Sequence, residues 1–350
     1  MKDYRESFKS LLENTFISRK GGDEYIVRET LSFLEKVLSF MPDKLFRYRR
    51  INDYTISSFK NGTISLCKAN CFSDKYDSMI FIDAEKQAKE MEAAFKDAIE
   101  MVIRHIKEKN PLLRTEKASQ VCYLLEQGMA EKDVVDKVVK EQYSDFIEEL
   151  KRDLRQREWR FRDSQRSARI ACFTECIQSK YMWDTYAGSY RGFALEYDLK
   201  EYLISCINQD RPTYIFPVIY TDQRPDMTTD EANYSLFSKA QEEGWLHLLR
   251  PLLPFIDVNM LSPHKPYLYK DKEEYAHEKE WRMLFYSKTD CDDHVDIPDD
   301  GCLKSIYYGM DISEEDYERL HKIALDKGIK EYKVSIDRHT PKYSLVINEL

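Results

Sequence analysis

Several features are missing from this 350-residue sequence, and each absence argues against a class of protein. No apolar run reaches the roughly 18 residues that a membrane-spanning helix needs, so we expect no membrane partner. There is no phosphate-cradling glycine-rich loop, no His-Glu-x-x-His and no Gly-x-Ser-x-Gly, which disfavours the hydrolases that depend on them. The eight cysteines form no dense framework and no signal peptide is visible, so we expect a cytoplasmic protein with reduced thiols.

The sequence is rich in charge and in aromatic rings. Charged residues make up 33% and apolar residues 42%, which predicts a packed core under a charged surface. The net charge of -9 argues against binding of nucleic acid by the whole surface, although not against a local basic patch. Aromatic residues make up 13%, including 24 Tyr, a composition that suits a polar cleft lined by rings.

The stretch with the densest chemistry is Glu278-Lys279-Glu280-Trp281-Arg282, followed by an apolar run at 283–286. The apolar run is typical of a buried strand. In a strand, period-two alternation places Glu278, Glu280 and Arg282 on one face. Such a face is either a solvated edge with an ion pair or a functional site.

A second candidate stretch is the predicted first strand, Leu45-Phe46-Arg47-Tyr48-Arg49. Arg47 and Arg49 share one face of it, with Tyr48 opposite. A guanidinium can bind two oxygens of a phosphate or carboxylate at once, which favours an anion-binding role. The alternative is a surface arginine paired with a neighbouring acid.

Residues 79–168 have helical periodicity and are interpreted as a helical insertion between strands. The far end of the stretch, 152–169, is rich in arginine and includes Trp159 and Phe161. Basic residues interleaved with rings can bind a nucleic-acid strand. Acids are interspersed among them, however, and this favours a helix face with ion pairs.

Residues 169–197 predict a strand, a short helical turn and a returning strand. Trp183 and Tyr186 in the turn are three residues apart and would share a face. They could form the floor of a site for a flat ring, or they could pack in the core.

The sequence gives little support to a metal site. Cys67-x-x-x-Cys71 and Cys172-x-x-x-Cys176 have wider spacing than the common zinc knuckle, and both first cysteines lie in apolar strands. His277 has no second histidine at a useful spacing. We therefore expect buried thiols and no metal.

Several motifs resemble, in the same order, a bacterial family catalogued only as domain of unknown function number 2971. The motifs are Leu45-Phe46-Arg47-Tyr48-Arg49, Asn61-Gly62-Thr63-Ile64, the loop at 71–78, Ala171-Cys172-Phe173-Thr174-Glu175, Met182-Trp183-Asp184-Thr185-Tyr186-Ala187 with Gly192-Phe193, and Glu278-Lys279-Glu280-Trp281-Arg282. The resemblance extends from about residue 44 to the C terminus. It names a family without an assigned activity.

The order of these pieces is also similar, more distantly, to the ADP-ribosyltransferase fold. That resemblance implies an enzyme that uses NAD as its substrate, such as a toxin or a phage-defence effector. Glu280 would stabilise the oxocarbenium-like transition state and Glu278 would orient the acceptor.

The same resemblance implies roles for the other candidate residues. Arg47 and Tyr48 would lie at the cofactor, with Arg47 on the pyrophosphate. Trp183 or Tyr186 would sandwich the nicotinamide, and Arg282 would hold Glu280 in place. The acceptor would be a protein or a nucleic acid, and a neutralising or regulatory protein partner would be expected.

We predict an α+β fold with a central, mostly antiparallel split sheet. Its strands lie near residues 45, 63, 170, 193, 216, 282, 306, 332 and 344. Residues 1–44 form an N-terminal helical extension, and residues 45–350 form one domain that carries the 79–168 insertion. Two further hypotheses stay open: a non-catalytic binding or regulatory module of the same fold, and a nucleic-acid-acting effector such as a nuclease.

Overall fold

The computed structural model describes residues 4–108, 116–152, 168–208, 213–230, 259–286 and 292–350. The strands are β1 (Leu45–Arg49), β2 (Thr63–Lys68), β3 (Arg169–Thr174), β4 (Phe193–Tyr197), β5 (Thr213–Pro217), β6 (Ile219–Thr221), β7 (Tyr269–Asp271), β8 (Glu280–Phe285), β9 (His294–Pro298), β10 (Leu303–Tyr308), β11 (Lys330–Ile336) and β12 (Leu345–Glu349). The helices are α1 (Tyr4–Asn14), α2 (Asp23–Phe40), α3 (Asp53–Asn61), α4 (Ala84–Lys107), α5 (Glu116–Glu126), α6 (Glu131–Arg152), α7 (Lys180–Thr185), α8 (Leu199–Asn208), α9 (Lys272–Tyr275) and α10 (Glu314–Lys327).

Ten of the described strands form one large sheet in the order β12-β11-β10-β4-β1-β3-β2-β9, with β8 paired to β3 and β5 paired to β8. The pairing of β10 with β11 is parallel, and the other strand pairs described in this sheet are antiparallel. β6 and β7 form a separate parallel pair. The predicted α+β fold with a mostly antiparallel sheet is therefore confirmed.

The sheet divides at β3. One edge of β3 pairs with β8 along its whole length, from Arg169 to Thr174. On the opposite edge, Thr174 pairs with Phe46 of β1, whereas Ile170 and Arg169 pair with β2. β1 and β2 therefore share one edge of β3, and a gap separates them.

Local sequence signals explain how the chain passes from β1 to β2. The Asn52 side chain accepts a hydrogen bond from the Thr55 N–H (2.9 Å), and the Thr55 hydroxyl interacts in return with the Asn52 N–H, which caps α3. Gly62 ends the helix with φ at 65°, a left-handed conformation that favours glycine. α3 thus occupies the connection between the two strands that flank the gap.

The N-terminal helices pack into the main core of the molecule. Phe8 and Leu12 of α1 and Phe33 and Val37 of α2 are buried in the same cluster as the sheet residues. A second cluster lies between α4, α5 and α6, and a third includes Phe46 and α7. Within the described part of the chain, no helix is long and apolar enough to cross a bilayer.

Each of the nine predicted strand positions falls in or beside a strand of the large sheet. The chain near residue 216 divides into β5 and β6, and the strand predicted near residue 344 begins at Leu345. β9 is polar and largely exposed, and its pattern did not predict a strand. The arginine-rich stretch lies outside the described residues at 153–167.

Candidate functional site

Glu278 and Glu280 lie on either side of a sharp turn. Glu278 ends a short 3₁₀ helix that begins at Ala276, and Lys279 has φ at 47° in the left-handed region. β8 begins only at Glu280. The prediction that Glu278 lies in the strand is wrong, because the left-handed turn at Lys279 interrupts the extended backbone.

The two carboxylates nevertheless meet, because Lys270 of β7 bridges them. The Lys270 Nζ donates to Glu278 Oε2 (2.8 Å) and to Glu280 Oε2 (3.2 Å). All three side chains are at least nine-tenths buried. The sequence did not single out Lys270, because no spacing rule connects it with the turn at 278–280.

Arg282 forms the second half of this network. Its Nε donates to Glu280 Oε1 (2.8 Å), and its two terminal nitrogens donate to Asp77 Oδ1 (2.8 Å) and Oδ2 (2.6 Å). One of them also donates to the Tyr267 carbonyl (2.7 Å). The structure therefore places Arg282 against Glu280, as the alternation in β8 predicts, and adds Asp77 from a distant loop.

Glu280 and Lys270 keep their charges at neutral pH. Burial alone would raise the pKa of Glu280, but Arg282 and Lys270 hold that pKa well below its usual range, and the Cys172 thiol also donates to the carboxylate. Burial acts to lower the pKa of Lys270, and the carboxylates of Glu280 and Glu278 more than reverse this effect. Both oxygens of Glu280 are thus occupied by cations of the protein itself.

The structure separates Trp183 from Tyr186. Trp183 is fully buried, meets the Tyr48 ring edge to face at 4.9 Å, and donates from Nε1 to the Ile177 carbonyl (2.8 Å). Tyr186 follows α7, is 37% exposed, and donates from its hydroxyl to Glu278 Oε1 (2.6 Å). The pair therefore forms no common floor for a flat ring. Trp183 and Tyr48 are core residues, whereas Tyr186 lies against the carboxylates.

Arg47 and Arg49 occupy the gap beside β1. The Arg47 guanidinium lies 5.7 Å from the centre of the Phe173 ring, and Arg49 donates to the Ser65 hydroxyl of β2 (3.0 Å). Burial, together with the charge of Arg47, lowers the pKa of Arg49 to about 10. Among the described residues, neither guanidinium has a carboxylate within ion-pair distance.

Charges of the arginine pair (Arg47 and Arg49) and of Asp77 in the buried network both affect the pKa of the Cys67 thiol of β2. Burial, Cys71 and Asp77 raise the pKa of Cys67 to about 11, while Arg47 and Arg49 act in the opposite direction. Cys67 thus lies near both groups of charges. Among the described residues, no contact joins Arg47 directly to Glu280.

The cysteine pairs lie in the structure as free thiols. Within the described ranges, no three His, Cys, Asp or Glu side chains are placed to hold one metal ion. The arginine-rich stretch that could bind nucleic acid lies outside the described residues, except for Arg169 and the backbone of Arg152. Arg169 donates to the Asp292 carbonyl (2.8 Å).

Comparison with known proteins gives one family. Residues 182–283 match the family model described as protein of unknown function (DUF2971). The match supports the resemblance seen in the sequence over this stretch, which includes the end of α7 together with Tyr186, Glu278, Glu280 and Arg282. No curated protein and no solved structure matches the chain.

Proposed function

We propose that this protein binds a phosphate-bearing ligand in the gap between β1 and β2, with NAD as the first ligand to test. The observation that carries the proposal is the pair of guanidiniums at Arg47 and Arg49. They are held on one strand face, partly buried, with no carboxylate partner among the described residues. Binding, with no turnover, is the function that this geometry supports best.

The physical reason is the electrostatic cost of the pair. Two like charges held together out of water destabilise each other unless an anion compensates them. Burial lowers the pKa of Arg49, and the charge of Arg47 lowers it further. A guanidinium offers five N–H donors in a planar fork, which matches two phosphate oxygens. A phosphate or pyrophosphate would supply the missing negative charge and acceptors.

ADP-ribosyl transfer is the second candidate, and the convergence of Tyr186, Glu278 and Glu280 near Lys270 favours it. An acceptor, protein or nucleic acid, and a neutralising partner protein belong to this candidate. Stabilisation of an oxocarbenium-like ribose requires a carboxylate oxygen that faces the substrate. Glu280 would have to release Lys270 or Arg282 first, since both hold its oxygens.

The binding proposal is tested by calorimetric titration of the purified chain with NAD and with inorganic pyrophosphate at low salt. Replacement of Arg47 or Arg49 by Gln removes charged hydrogen bonds worth about 1.5–3 kcal/mol, so affinity should fall roughly tenfold or more. Arg191→Gln is the control, because Arg191 is exposed at the surface. Equal affinities in the wild type and in Arg47→Gln/Arg49→Gln would contradict the proposal.

A second assay with the same purified protein distinguishes NAD binding from ADP-ribosyl transfer. Nicotinamide release from NAD is followed with cell lysate present, for the wild type and for Glu280→Gln, with the folding of both checked by circular dichroism. The binding proposal predicts no release from either protein. Release by the wild type that is lost in Glu280→Gln would establish the transferase candidate instead.

A further inference from the structure

Lys270 also lines a cavity that the proposed phosphate site does not use. The cavity has a volume of about 670 Å³, which is within the range of small-molecule sites. Its walls come from the loop before α4, the segment that follows β6, and the β7–α9 connection. Arg47 and Arg49 are not among its lining residues.

Aromatic rings form part of the wall. Tyr76 is 72% exposed and Phe81 is 44% exposed, so both rings present free surface at the cavity. Tyr275 already holds a cation, since the Lys270 Nζ lies 4.0 Å from the centre of its ring. The wall therefore offers ring surface for apolar groups, and it already shows one contact between a cation and a ring face.

The cavity also has an excess of negative charge. Asp74, Asp222 and Glu274 line it, and within the described part of the chain none of them forms an ion pair. Of the two cations in the lining, Lys270 is paired with Glu278 and Glu280. Arg224 donates to the neutral Ile80 carbonyl (3.4 Å) and keeps its positive charge, so the acids in the lining still outnumber the cations. A ligand in this cavity would therefore meet three acids without an ion-pair partner among the described residues, although Lys270 and the Tyr76 N–H partly offset the charge of Asp74.

Asp74 and Glu274 both affect the pKa of Tyr275. Burial raises the pKa of Tyr275 to about 12, and the charges of Asp74 and Glu274 add to the effect. Burial also raises the pKa of Asp74, with contributions from Asp77 and Glu274. Asp74 and Glu274 therefore lie near each other and near the Tyr275 ring, with Lys270 as the opposing charge.

We propose that this cavity binds a small alkylammonium or quaternary ammonium ion. Asp74 and Glu274 hold the charged group, and the rings of Tyr76 and Phe81 pack against its apolar substituents. Attraction to a ring face favours a cation with a low cost of desolvation, a property of alkylated ammonium groups. The rings and the acids thus select for the same class of ligand.

The test compares a cation with a neutral molecule of the same shape. The whole chain is titrated with choline and, separately, with 3,3-dimethylbutan-1-ol at low salt, by calorimetry. The proposal predicts at least fivefold tighter binding of choline, and weaker choline binding as salt screens the acids. Equal affinities for the two molecules, or no choline binding up to about 100 mM, where the binding free energy would be only roughly 1.4 kcal/mol, would overturn it.

Two matched variants locate the site. Glu274→Gln keeps the backbone N–H that Asp271 caps, so α9 should be retained. This variant should weaken choline binding at least fivefold, whereas Glu273→Gln, on the exposed neighbouring residue, should leave it unchanged. Unchanged binding in Glu274→Gln, or an equal loss in both variants, would overturn the placement of the ligand. Neither variant should alter the affinity for NAD, because neither residue lies in the gap at β1.

Discussion

At the scale of single residues, the chemistry of the candidate site depends on which charged side chains form ion pairs with each other. The sequence singled out Glu278, Glu280 and Arg282, and the structure brings all three into one network. Lys270 and Asp77 complete it, and both come from segments whose local pattern indicates nothing about this contact. The sequence thus identifies the acids, whereas the cations that pair with them are brought together by tertiary packing.

His264 provides a pH-dependent prediction at the same scale. Burial lowers its pKa from an ordinary value of 6.5 to about 3, and its Nδ1 lies 2.7 Å from the Tyr286 hydroxyl. Between these two pH values the unfolded chain binds a proton that the folded chain does not. The free energy of unfolding should therefore fall by about 1.4 kcal/mol per pH unit from this group as pH decreases below about 6.5.

Urea unfolding of the wild type and His264→Gln between pH 5 and pH 7 measures this contribution. Between pH 6.5 and pH 5, the free energy of unfolding of the variant should fall by about 2 kcal/mol less than that of the wild type. The exposed His339, replaced by Gln, is the control and should keep the slope of the wild type. Equal slopes in all three proteins would show that His264 is protonated in the folded state.

At the scale of elements, α1 is joined to the strand that carries Glu280. Arg5 donates to the Val218 carbonyl (2.7 Å) and to the Glu280 carbonyl (2.9 Å), and it forms an ion pair with Glu175. Phe8 of the same helix is fully buried and stacks on Phe216 at 6.0 Å. α1 therefore supports β5 and the start of β8 from one side.

Phe8→Ala should destabilise the protein by about 3–5 kcal/mol, because it removes a fully buried ring and leaves a cavity against the sheet. Chemical denaturation measures the loss. Ser7→Ala changes an exposed position of the same helix and should alter the free energy of unfolding by less than about 0.5 kcal/mol. A loss below about 1 kcal/mol in Phe8→Ala would mean that α1 contributes little to the core.

Helices and strands with a clear apolar pattern can be predicted from the sequence. Those whose position depends on contacts with distant segments cannot. β3, β4 and β10 have continuous burial and apolar sequence, and α4 has a regular apolar face. β9 has an exposed, polar sequence and exists because β2 offers it an open edge. The left-handed turn at Lys279 had no glycine to indicate it, so Glu278 was placed in the strand.

At the scale of the whole molecule, the chain has separate cores. The cluster between α4, α5 and α6 shares no buried residue with the main core. Phe95 and Tyr143 stack at its centre with ring centroids 3.8 Å apart. Helical periodicity was enough to predict the insertion. The pairing of β2 with β3, the strands before and after the insertion, could be seen only in the structure.

Phe95→Ala should affect these helices more than the sheet. We expect hydrogen exchange to increase throughout α4, α5 and α6, while protection in β1, β3 and β8 changes little, because the two clusters have no common members. Tyr123→Ala, at an exposed position of α5, is the control. Equal loss of protection in the bundle and the sheet would show that the chain opens as one cooperative unit.

The gap at β3 also has a consequence for the order of folding. Lys68 of β2 pairs with Arg169 of β3, and the inserted helices lie between them in the chain. Closing a long loop costs entropy that grows only slowly with its length, and helices form through local contacts much faster than distant strands pair. If the bundle forms first, it shortens the effective loop, and β2 reaches the free edge of β3 next to β1. Nascent chains released before residue 169 would then present β2 with an unpaired edge, the kind of surface on which chaperones and other strands act.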